Sequence, residues 1–216
     1  FHYCEWMQVP AYTANAFYND KNNSINILAC NLVPPIYDKN QQAFYNYAIL
    51  GATTIGHEMT HGFDANGSQY DAIGKQAEWW DPQDKAVFKE KQKQMINHFD
   101  KLEYMPGVYC DGEKTLSENI ADLGGLEIAY EAYMNKVSTT TRSKRQYLAR
   151  EFFRAFADAW RQNETPEKMK KYETDVHAAP KLRINGNVCL TDAWYRVFDI
   201  TEGHMYLAPD ERIQIW

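Results

Sequence analysis

Apolar residues recur at intervals of three and four residues over positions 41–62, which is the spacing of one face of an α-helix. The recurring positions are Phe44, Tyr47, Ala48, Gly51, Ile55 and Met59. We therefore predict a helix that ends near Gly62. Two earlier segments, 11–18 and 24–29, are short and rich in aromatic and β-branched residues. The asparagines between these two segments predict a hairpin turn.

Further helices are predicted after this point. Asp81 is a good N-cap residue and Pro82 suits a first helical position, so a helix is expected from there toward Tyr104. Others are expected over 115–135 and 144–162, with short helices beginning at Thr165-Pro166 and at Thr191-Asp192. A small sheet followed by helices predicts a mainly helical α+β fold. No repeat or flexible linker divides the chain, so we predict one domain over 1–216.

The composition narrows the class of protein. Hydrophobic residues make up 44% of the chain and charged residues 24%, as in ordinary globular domains. No apolar run is long enough to cross a bilayer. The net charge of −6 argues against a nucleic-acid partner, which needs a basic surface. The chain begins with Phe1 and shows no signal-peptide pattern, so we expect that it belongs to a longer precursor.

Four cysteines are widely spaced along the chain, at Cys4, Cys30, Cys110 and Cys189. No two of them form a Cys-x-x-Cys pair, which argues against a zinc ribbon or a redox motif. We expect buried free thiols. Disulfides in an exported protein are the alternative.

The segment from His57 to His61 has the pattern His-Glu-x-x-His, which is typical of zinc peptidases. Four residues advance a helix by slightly more than one turn, so the two imidazoles lie about 40° apart and can reach one metal ion. Glu58 is offset around the helix. It can face the metal without binding it and accept a proton from the water that the zinc activates.

A third protein ligand is needed, because a catalytic zinc usually has three and keeps one position for water. Glu118 is the best candidate. Asp122 lies four residues later on the same predicted helix and therefore shares its face. We expect Glu118 to bind the zinc and Asp122 to accept a hydrogen bond from a ligand imidazole, which would fix its orientation.

Each of these features also has a plainer interpretation. The two histidines could be unrelated residues of one helix face, and Glu118 and Asp122 could be solvated. The two motifs together, in this order, argue against that. The segment 64–68 faintly resembles a calcium loop but lacks the bidentate glutamate, so we predict a turn. A purely structural zinc would need a fourth Cys or His, and none is evident.

These residues resemble the neprilysin and endothelin-converting-enzyme family of zinc peptidases, and the resemblance covers essentially the whole chain. It is carried by six ordered motifs. They are Asn15-Ala16-Phe17-Tyr18, the segment from Gly56 to Asp64, Glu78-Trp79-Trp80, the segment from Glu118 to Asp122, Thr174-Asp175-Val176-His177 with Arg183, and the final Trp216. The resemblance implies a thermolysin-like zinc peptidase fold (a gluzincin), which agrees with a small sheet before helices.

The resemblance also implies roles for individual residues. Glu58 would activate the water, and His177 would stabilise the oxyanion that forms as the peptide carbonyl becomes tetrahedral. Arg183 would donate hydrogen bonds to a substrate carbonyl. The family sometimes treats the residue at Asp122 as a proton donor. We favour an orienting role, because a carboxylate that holds an imidazole is poorly placed to deliver a proton.

Substrate contacts follow from the same resemblance. Asn15 and Ala16 would lie on an edge strand and pair with an extended peptide. Trp160, with Ala159 beside it, would line the pocket for the residue after the cut. The resemblance implies hydrolysis of oligopeptides on the N-terminal side of bulky hydrophobic residues. From spacing alone, Asn15 and Ala16 are plain strand residues and Trp160 is a core aromatic.

Two departures from the family are visible. Animal members carry cysteines near the positions of Gln94 and Ile213, and their absence here favours the bacterial oligopeptidase type. The family has a helical N-terminal lobe that closes over the site, and we expect that this chain lacks nearly all of it. A module that binds peptides without cutting them in this form is therefore the alternative to an active peptidase. The resemblance alone implies a location outside the cytoplasm, whether periplasmic, surface-anchored or secreted.

Overall fold

The computed structural model describes residues 9–215. It shows a mainly helical chain with a small antiparallel sheet near the start, and the predicted fold class is confirmed. Trp216, the last of the six matching motifs, and Cys4 lie outside the described residues.

The predicted hairpin is present. Strands β1 (Ala16–Asn19) and β2 (Ser24–Ile27) run antiparallel, with Ala16 opposite Ile27. The turn contains Asn23 at a φ of 49°, in the left-handed region that asparagine tolerates better than most residues. Strand β1 is shorter than predicted because residues 10–15 form turns. Asn15 consequently lies just before the strand.

The predicted helix over 41–62 is also present, and we call it α1. It begins as an α-helix at Ala43–Asn46, continues as a π-helix over Tyr47–Gly56 and returns to an α-helix at His57–His61. Single π-turns inside α-helices occur frequently at functional sites. Here the wider winding ends at the residue before His57.

Helix α2 (Pro82–Phe99) starts where the sequence predicts, with the carboxylate of Asp81 accepting a hydrogen bond from the backbone N–H of Gln83 at 2.8 Å. The helix ends five residues earlier than expected. The chain after it forms a second hairpin, β3 (Glu103–Met105) and β4 (Val108–Tyr109). Its turn has Gly107 at a φ of 76°, which glycine adopts without strain.

The remaining helices include four that were predicted and one that was not. They are α3 (Leu116–Lys136), α4 (Arg142–Ala159), α5 (Pro166–Met169), α6 (Pro180–Val188) and α7 (Asp192–Phe198). Helix α6 was not predicted, although Pro180 at its first position is a helix-start signal. Helix α4 ends at Ala159, so Trp160 lies immediately after it instead of inside it.

Helix α3 is the centre of the molecule because it contributes to both hydrophobic clusters. Ile120 and Leu123 pack with α2 and α6, whereas Leu126 and Tyr133 pack with α1 and α4. Its contact with α1 is very close at Gly125. A Cβ there would lie 2.4 Å from the carbonyl oxygen of Ala52 and 2.7 Å from the backbone nitrogen of His57, so only glycine permits this crossing.

Two sequence predictions about exposure can be compared with the structure. Cys110 and Cys189 are buried free thiols as expected, whereas Cys30 is a free thiol that is only half-buried. Among the described helices, none combines the length and the apolar character that a membrane crossing requires.

Candidate metal centre and active site

The last turns of α1 present two imidazoles to one point. The ring centroids of His57 and His61 are 4.6 Å apart, and their Nε2 atoms are separated by 3.0 Å. The side chain of His57 is 6% exposed and that of His61 is 17% exposed. Both rings thus lie at the bottom of a cavity and not on an open helix face.

The close crossing of α3 over α1 adds a carboxylate. Oε2 of Glu118 lies 3.2 Å from Nε2 of His57 and 3.7 Å from Nε2 of His61. One ligand atom from each of these residues falls within 4.8 Å of the others. Since Glu118 is separated from His61 by 57 positions in the sequence, the fold and not the local spacing creates this group.

Asp122 holds the first histidine. Its Oδ1 accepts a hydrogen bond from Nδ1 of His57 at 2.8 Å. Arg183 donates to the same carboxylate from Nε and Nη2, both at 2.6 Å, with its guanidinium buried in helix α6. Burial opposes ionisation of Asp122, but the guanidinium and the imidazole together lower its pKa. The carboxylate therefore stays charged and acts as an acceptor.

Asp64 holds the second histidine in the same way. Its Oδ2 accepts from Nδ1 of His61 at 2.7 Å. Its Oδ1 accepts from the backbone N–H groups of Asn66 at 2.7 Å and Gly67 at 2.8 Å. A Cβ at Gly67 would lie 1.8 Å from the carbonyl oxygen of His61, so glycine is required for the chain to fold back here. The segment 64–68 is the predicted turn, and it also orients His61.

The donor set fits a divalent cation. When both rings are neutral, each Nδ1 donates to its carboxylate, so both Nε2 atoms turn lone pairs toward each other at 3.0 Å. Oε2 of Glu118 is buried beside them and accepts no hydrogen bond of normal geometry from the described residues. Three electron-rich atoms in contact repel one another unless a cation lies between them. The spacing is near the edge of about 3.3 Å that follows from zinc bonds of about 2.0–2.1 Å in a tetrahedron.

The pKa values of His57 and Glu118 reflect the charges that surround these ligand atoms. Burial opposes a charge on His57, yet Asp122 and Glu118 raise its pKa to about 9. Burial also opposes ionisation of Glu118, yet the imidazoles of His177 and His57 lower its pKa. A site that favours a proton so strongly also favours a metal ion, which replaces the proton when it binds. Two imidazoles and one carboxylate are the ligands of catalytic zinc sites that keep a fourth position for water.

Glu58 lies in the same cavity but is not part of this group of ligand atoms. It is buried, and this burial raises its pKa above the ordinary value of a glutamate. The charges of His57 and His61 oppose that shift, as does a backbone hydrogen bond from Tyr18 of β1. A carboxylate with a raised pKa beside a metal site suits a general base.

His177 reaches the site from the loop before α6. Its Nε2 lies 3.2 Å from Oε2 of Glu118, and its Nδ1 lies 2.9 Å from Oδ1 of Asp175. The interaction with Glu118 is the main cause of a raised pKa, although burial opposes it. The side chain is 41% exposed, so it borders the cavity from the solvent side.

The cavity itself has a volume of about 680 Å³ and brings the remaining predicted residues together. Asn15, Ala16, Trp160 and Arg183 are all among the residues that line it. The guanidinium carbon of Arg183 lies 3.8 Å from the centre of the Trp160 ring, a cation–π distance. Strand β1 pairs only with β2 among the described strands, so its other edge borders the cavity without a strand partner.

Comparison with known proteins agrees with this arrangement. Residues 15–213 match the model of peptidase family M13. The chain belongs to peptidase family M13. The predicted resemblance to neprilysin-type enzymes is therefore confirmed.

Relatives of this M13 chain share about a third of its residues. It is 37% identical to a neutral endopeptidase of Lactococcus lactis over 96% of this chain and 32% of the relative. It is 33% identical to human neprilysin over 98% of this chain and 29% of the relative. The structure of the zinc metalloprotease Zmp1 of Mycobacterium tuberculosis, in complex with an inhibitor, is similar with a TM-score of 0.88 and 34% identity. That similarity covers 98% of this chain and 34% of the other. The M13 chain thus spans about a third of the length of these relatives.

All ten site residues predicted from the M13 sequence border one cavity or contact its lining. They are Asn15, Ala16, His57, Glu58, His61, Glu118, Asp122, Trp160, His177 and Arg183. Two carboxylates had no assigned role. Asp64 lies three residues after His61, and Asp175 lies two residues before His177, so a search for Asp or Glu near each histidine would have found both.

Proposed function

We propose that the chain forms the zinc-binding catalytic part of an endopeptidase that hydrolyses oligopeptides on the N-terminal side of bulky hydrophobic residues. The observation that carries the proposal is the convergence of two imidazole lone pairs and the buried Oε2 of Glu118 beside the buried carboxylate of Glu58. Similarity to neutral endopeptidases and to neprilysin supports peptide hydrolysis. Similarity to the structure of a zinc metalloprotease supports zinc as the metal.

When bound by His57, His61 and Glu118, zinc would supply Lewis acidity, which polarises the substrate carbonyl and makes a water molecule acidic enough to attack at neutral pH. Glu58 would accept the proton from that water on its carboxylate and pass it to the leaving amine. Its raised pKa brings its proton affinity closer to what this transfer requires.

Two donors are placed to bind oxygen atoms of the substrate. His177 is held by Asp175 with Nε2 turned into the site, so it can donate to the oxyanion. Arg183 donates two hydrogen bonds to Asp122 from Nε and Nη2, and Nη1 donates none to a described residue. That remaining nitrogen can donate to a substrate carbonyl without releasing Asp122.

The cavity walls suit an extended peptide. The unpaired edge of β1 offers backbone groups at Ala16, with Asn15 just before it, for pairing with the substrate main chain. The Trp160 ring provides a large apolar wall for the side chain that follows the cut bond. These contacts would fix the direction of the peptide across the metal centre.

The first test is the variant Glu58→Gln, which keeps the shape and removes the base. We expect one zinc per chain as in the wild type, with turnover of a fluorogenic peptide lowered by about 10²–10⁴-fold. Glu131→Gln, an exposed glutamate on α3, is the matched control and should cut at the wild-type rate. A Glu58→Gln protein that cuts normally would rule out the proposed mechanism.

A peptide-binding module without cleavage is the second candidate, because the chain spans only about a third of its relatives. The same assay separates the two. Zinc binding and peptide binding without any cleavage, in both the wild type and Glu58→Gln, would favour the binding module.

A further inference from the structure

One carboxylate of the cavity lining has no part in the metal centre. Asp20 lies directly after strand β1, in the turn of the first hairpin, and it is half-buried. The other lining carboxylates already have partners or roles, because Asp64 binds His61 while Glu58 and Glu118 face the metal ion. Asp20 forms no ion pair with any residue of 9–215. Its charge is therefore available to a ligand of the cavity.

The contacts of Tyr18 place Asp20 on the same side of the metal centre as His61. Burial raises the pKa of the Tyr18 phenol, and the charges of Asp20 and Asp64 raise it further, so both carboxylates lie near this ring. Asp64 in turn binds Nδ1 of His61 at 2.7 Å. The backbone of Tyr18 also hydrogen-bonds Glu58. Asp20 thus follows, two residues later in the chain, the point where β1 meets the general base.

The groups that bind the other half of the substrate lie on the side of His57. Arg183 donates to Asp122, which accepts from Nδ1 of His57. The same guanidinium lies 3.8 Å from the centre of the Trp160 ring. Trp160 is the wall proposed for the side chain that follows the cut bond. The part of the peptide after the cut therefore lies on the side away from Asp20.

An extended peptide that runs along the free edge of β1 then reaches Asp20 with its N-terminal part. Its carbonyl group under attack lies beside Glu58, at the level of Tyr18. Two residues of extended chain span roughly 7 Å, which is also the distance along the backbone from Tyr18 to Asp20. The second or third residue before the cut bond consequently lies next to the turn.

The charge of Asp20 determines which side chain binds best there. A peptide that covers a half-buried carboxylate removes part of its hydration, and this loss is compensated only by an opposite charge. A neutral side chain gives no such compensation, and an acidic one is repelled. The guanidinium of Arg183 does not neutralise Asp20, because it is already bound to Asp122.

We infer that Asp20 is a specificity-determining residue that selects arginine or lysine at the second or third residue before the cut bond. The inference rests on the proposed function, since it requires a peptide that crosses the metal centre in the direction described. It adds a preference on the N-terminal side of the cut, whereas the proposed function concerns the side chain that follows the cut.

The test uses pairs of peptides that carry phenylalanine after the cut bond and differ in one earlier residue. One pair has arginine or citrulline at the second residue before the cut, and another pair has them at the third. Citrulline keeps the shape of arginine without its charge. Zinc-loaded Glu58→Gln gives the dissociation constants of the uncut peptides by isothermal titration, and the zinc-loaded wild type gives kcat/KM.

We expect the arginine peptide of at least one pair to bind about fivefold more tightly, as for a partly exposed ion pair, and to be cut with a correspondingly higher kcat/KM. The difference should shrink in about 0.5 M salt, because ions screen such a pair. Equal dissociation constants in both pairs would overturn the inference.

Three variants assign the effect to Asp20. Asp20→Asn keeps the size of a side chain that suits a turn and should bring the ratio of the two constants toward one. Asp20→Lys should make a glutamate peptide bind more tightly than the arginine peptide. Asp84→Asn is the matched control, because it removes the same charge from the exposed start of α2, outside the cavity lining, and should keep the ratio. An unchanged ratio in Asp20→Asn, or an equal loss in Asp84→Asn, would refute the role of Asp20.

The outcomes also separate this inference from the proposed function. If the peptides bind to Glu58→Gln with the expected ratio but the wild type cuts none of them, the proposed hydrolysis is wrong and the binding preference stands. If the wild type cuts the arginine and citrulline peptides equally well, the proposed function stands and only the role of Asp20 is refuted. If no peptide binds, both fail.

Discussion

His57 and His61 lie one turn apart on the same helix, yet the two imidazoles are held by different parts of the molecule. His57 is nearly inaccessible and donates to Asp122, which comes from α3 and is locked by Arg183 from α6. His61 is more exposed and donates to Asp64, three residues later, which is locked by the backbone of the adjacent turn. We call these the long-range side and the local side of the metal centre.

The difference shows that two carboxylates with the same role, orienting a histidine, can be stabilised in different ways. On the local side the carboxylate is neutralised by hydrogen bonds from N–H groups that the turn itself provides. On the long-range side a buried carboxylate faces a buried guanidinium, so removing one partner leaves an uncompensated charge. The two sides should therefore respond similarly in zinc affinity but differently in folding stability.

The largest effect is expected for Asp122→Ala. The variant leaves Arg183 buried without its carboxylate, so the free energy of unfolding should fall by about 3–5 kcal/mol. Zinc affinity should also fall, because His57 loses the acceptor that orients it. Urea unfolding of the metal-free chain and zinc competition with a chelator measure the two quantities. Removing Arg183 as well, in Asp122→Ala/Arg183→Ala, should recover part of the lost stability.

An intermediate effect is expected for Asp64→Ala. The backbone N–H groups of Asn66, which is exposed, and of Gly67, which is buried, lose their acceptor. The free energy of unfolding should therefore fall by about 1–3 kcal/mol, less than for Asp122→Ala. Zinc affinity should fall by about 10–100-fold. Asp175→Ala is the matched control, because it removes a carboxylate from His177, which is not among the three ligands, and should leave zinc affinity unchanged. Equal destabilisation by Asp64→Ala and Asp122→Ala would refute the distinction between the two sides.

The smallest effect on stability is expected for Asp64→Asn. The amide oxygen can still accept from Asn66 and Gly67, so the free energy of unfolding should change by less than about 1 kcal/mol. The amide nitrogen then faces Nδ1 of His61, which favours the wrong tautomer and should still weaken zinc binding. The same unfolding and chelator measurements apply. Wild-type zinc affinity in this variant would show that Asp64 acts on the turn alone.

Much of the fold could be predicted because the signals are local. The helical periodicity before His57, the Asp81–Pro82 start of α2 and the asparagine-rich turn between β1 and β2 each involve neighbouring residues. The errors also have local causes. The sequence over 100–104 resembles a helix continuation, but the turn at Gly107 pairs β3 with β4, and α6 is too short to show a clear period.

The features of the candidate site also fall into two groups, those fixed by local spacing and those fixed by the packing of distant segments. The sequence by itself determined that His57 and His61 share one helix face and that Glu118 and Asp122 share another, because helical spacing fixes both. Only the tertiary structure decided that these faces meet, since this depends on a glycine at position 125 that lets α3 approach the backbone of α1. It also decided that Arg183 binds Asp122. Contacts between distant segments depend on how helices pack, and side-chain spacing along the chain does not encode that packing.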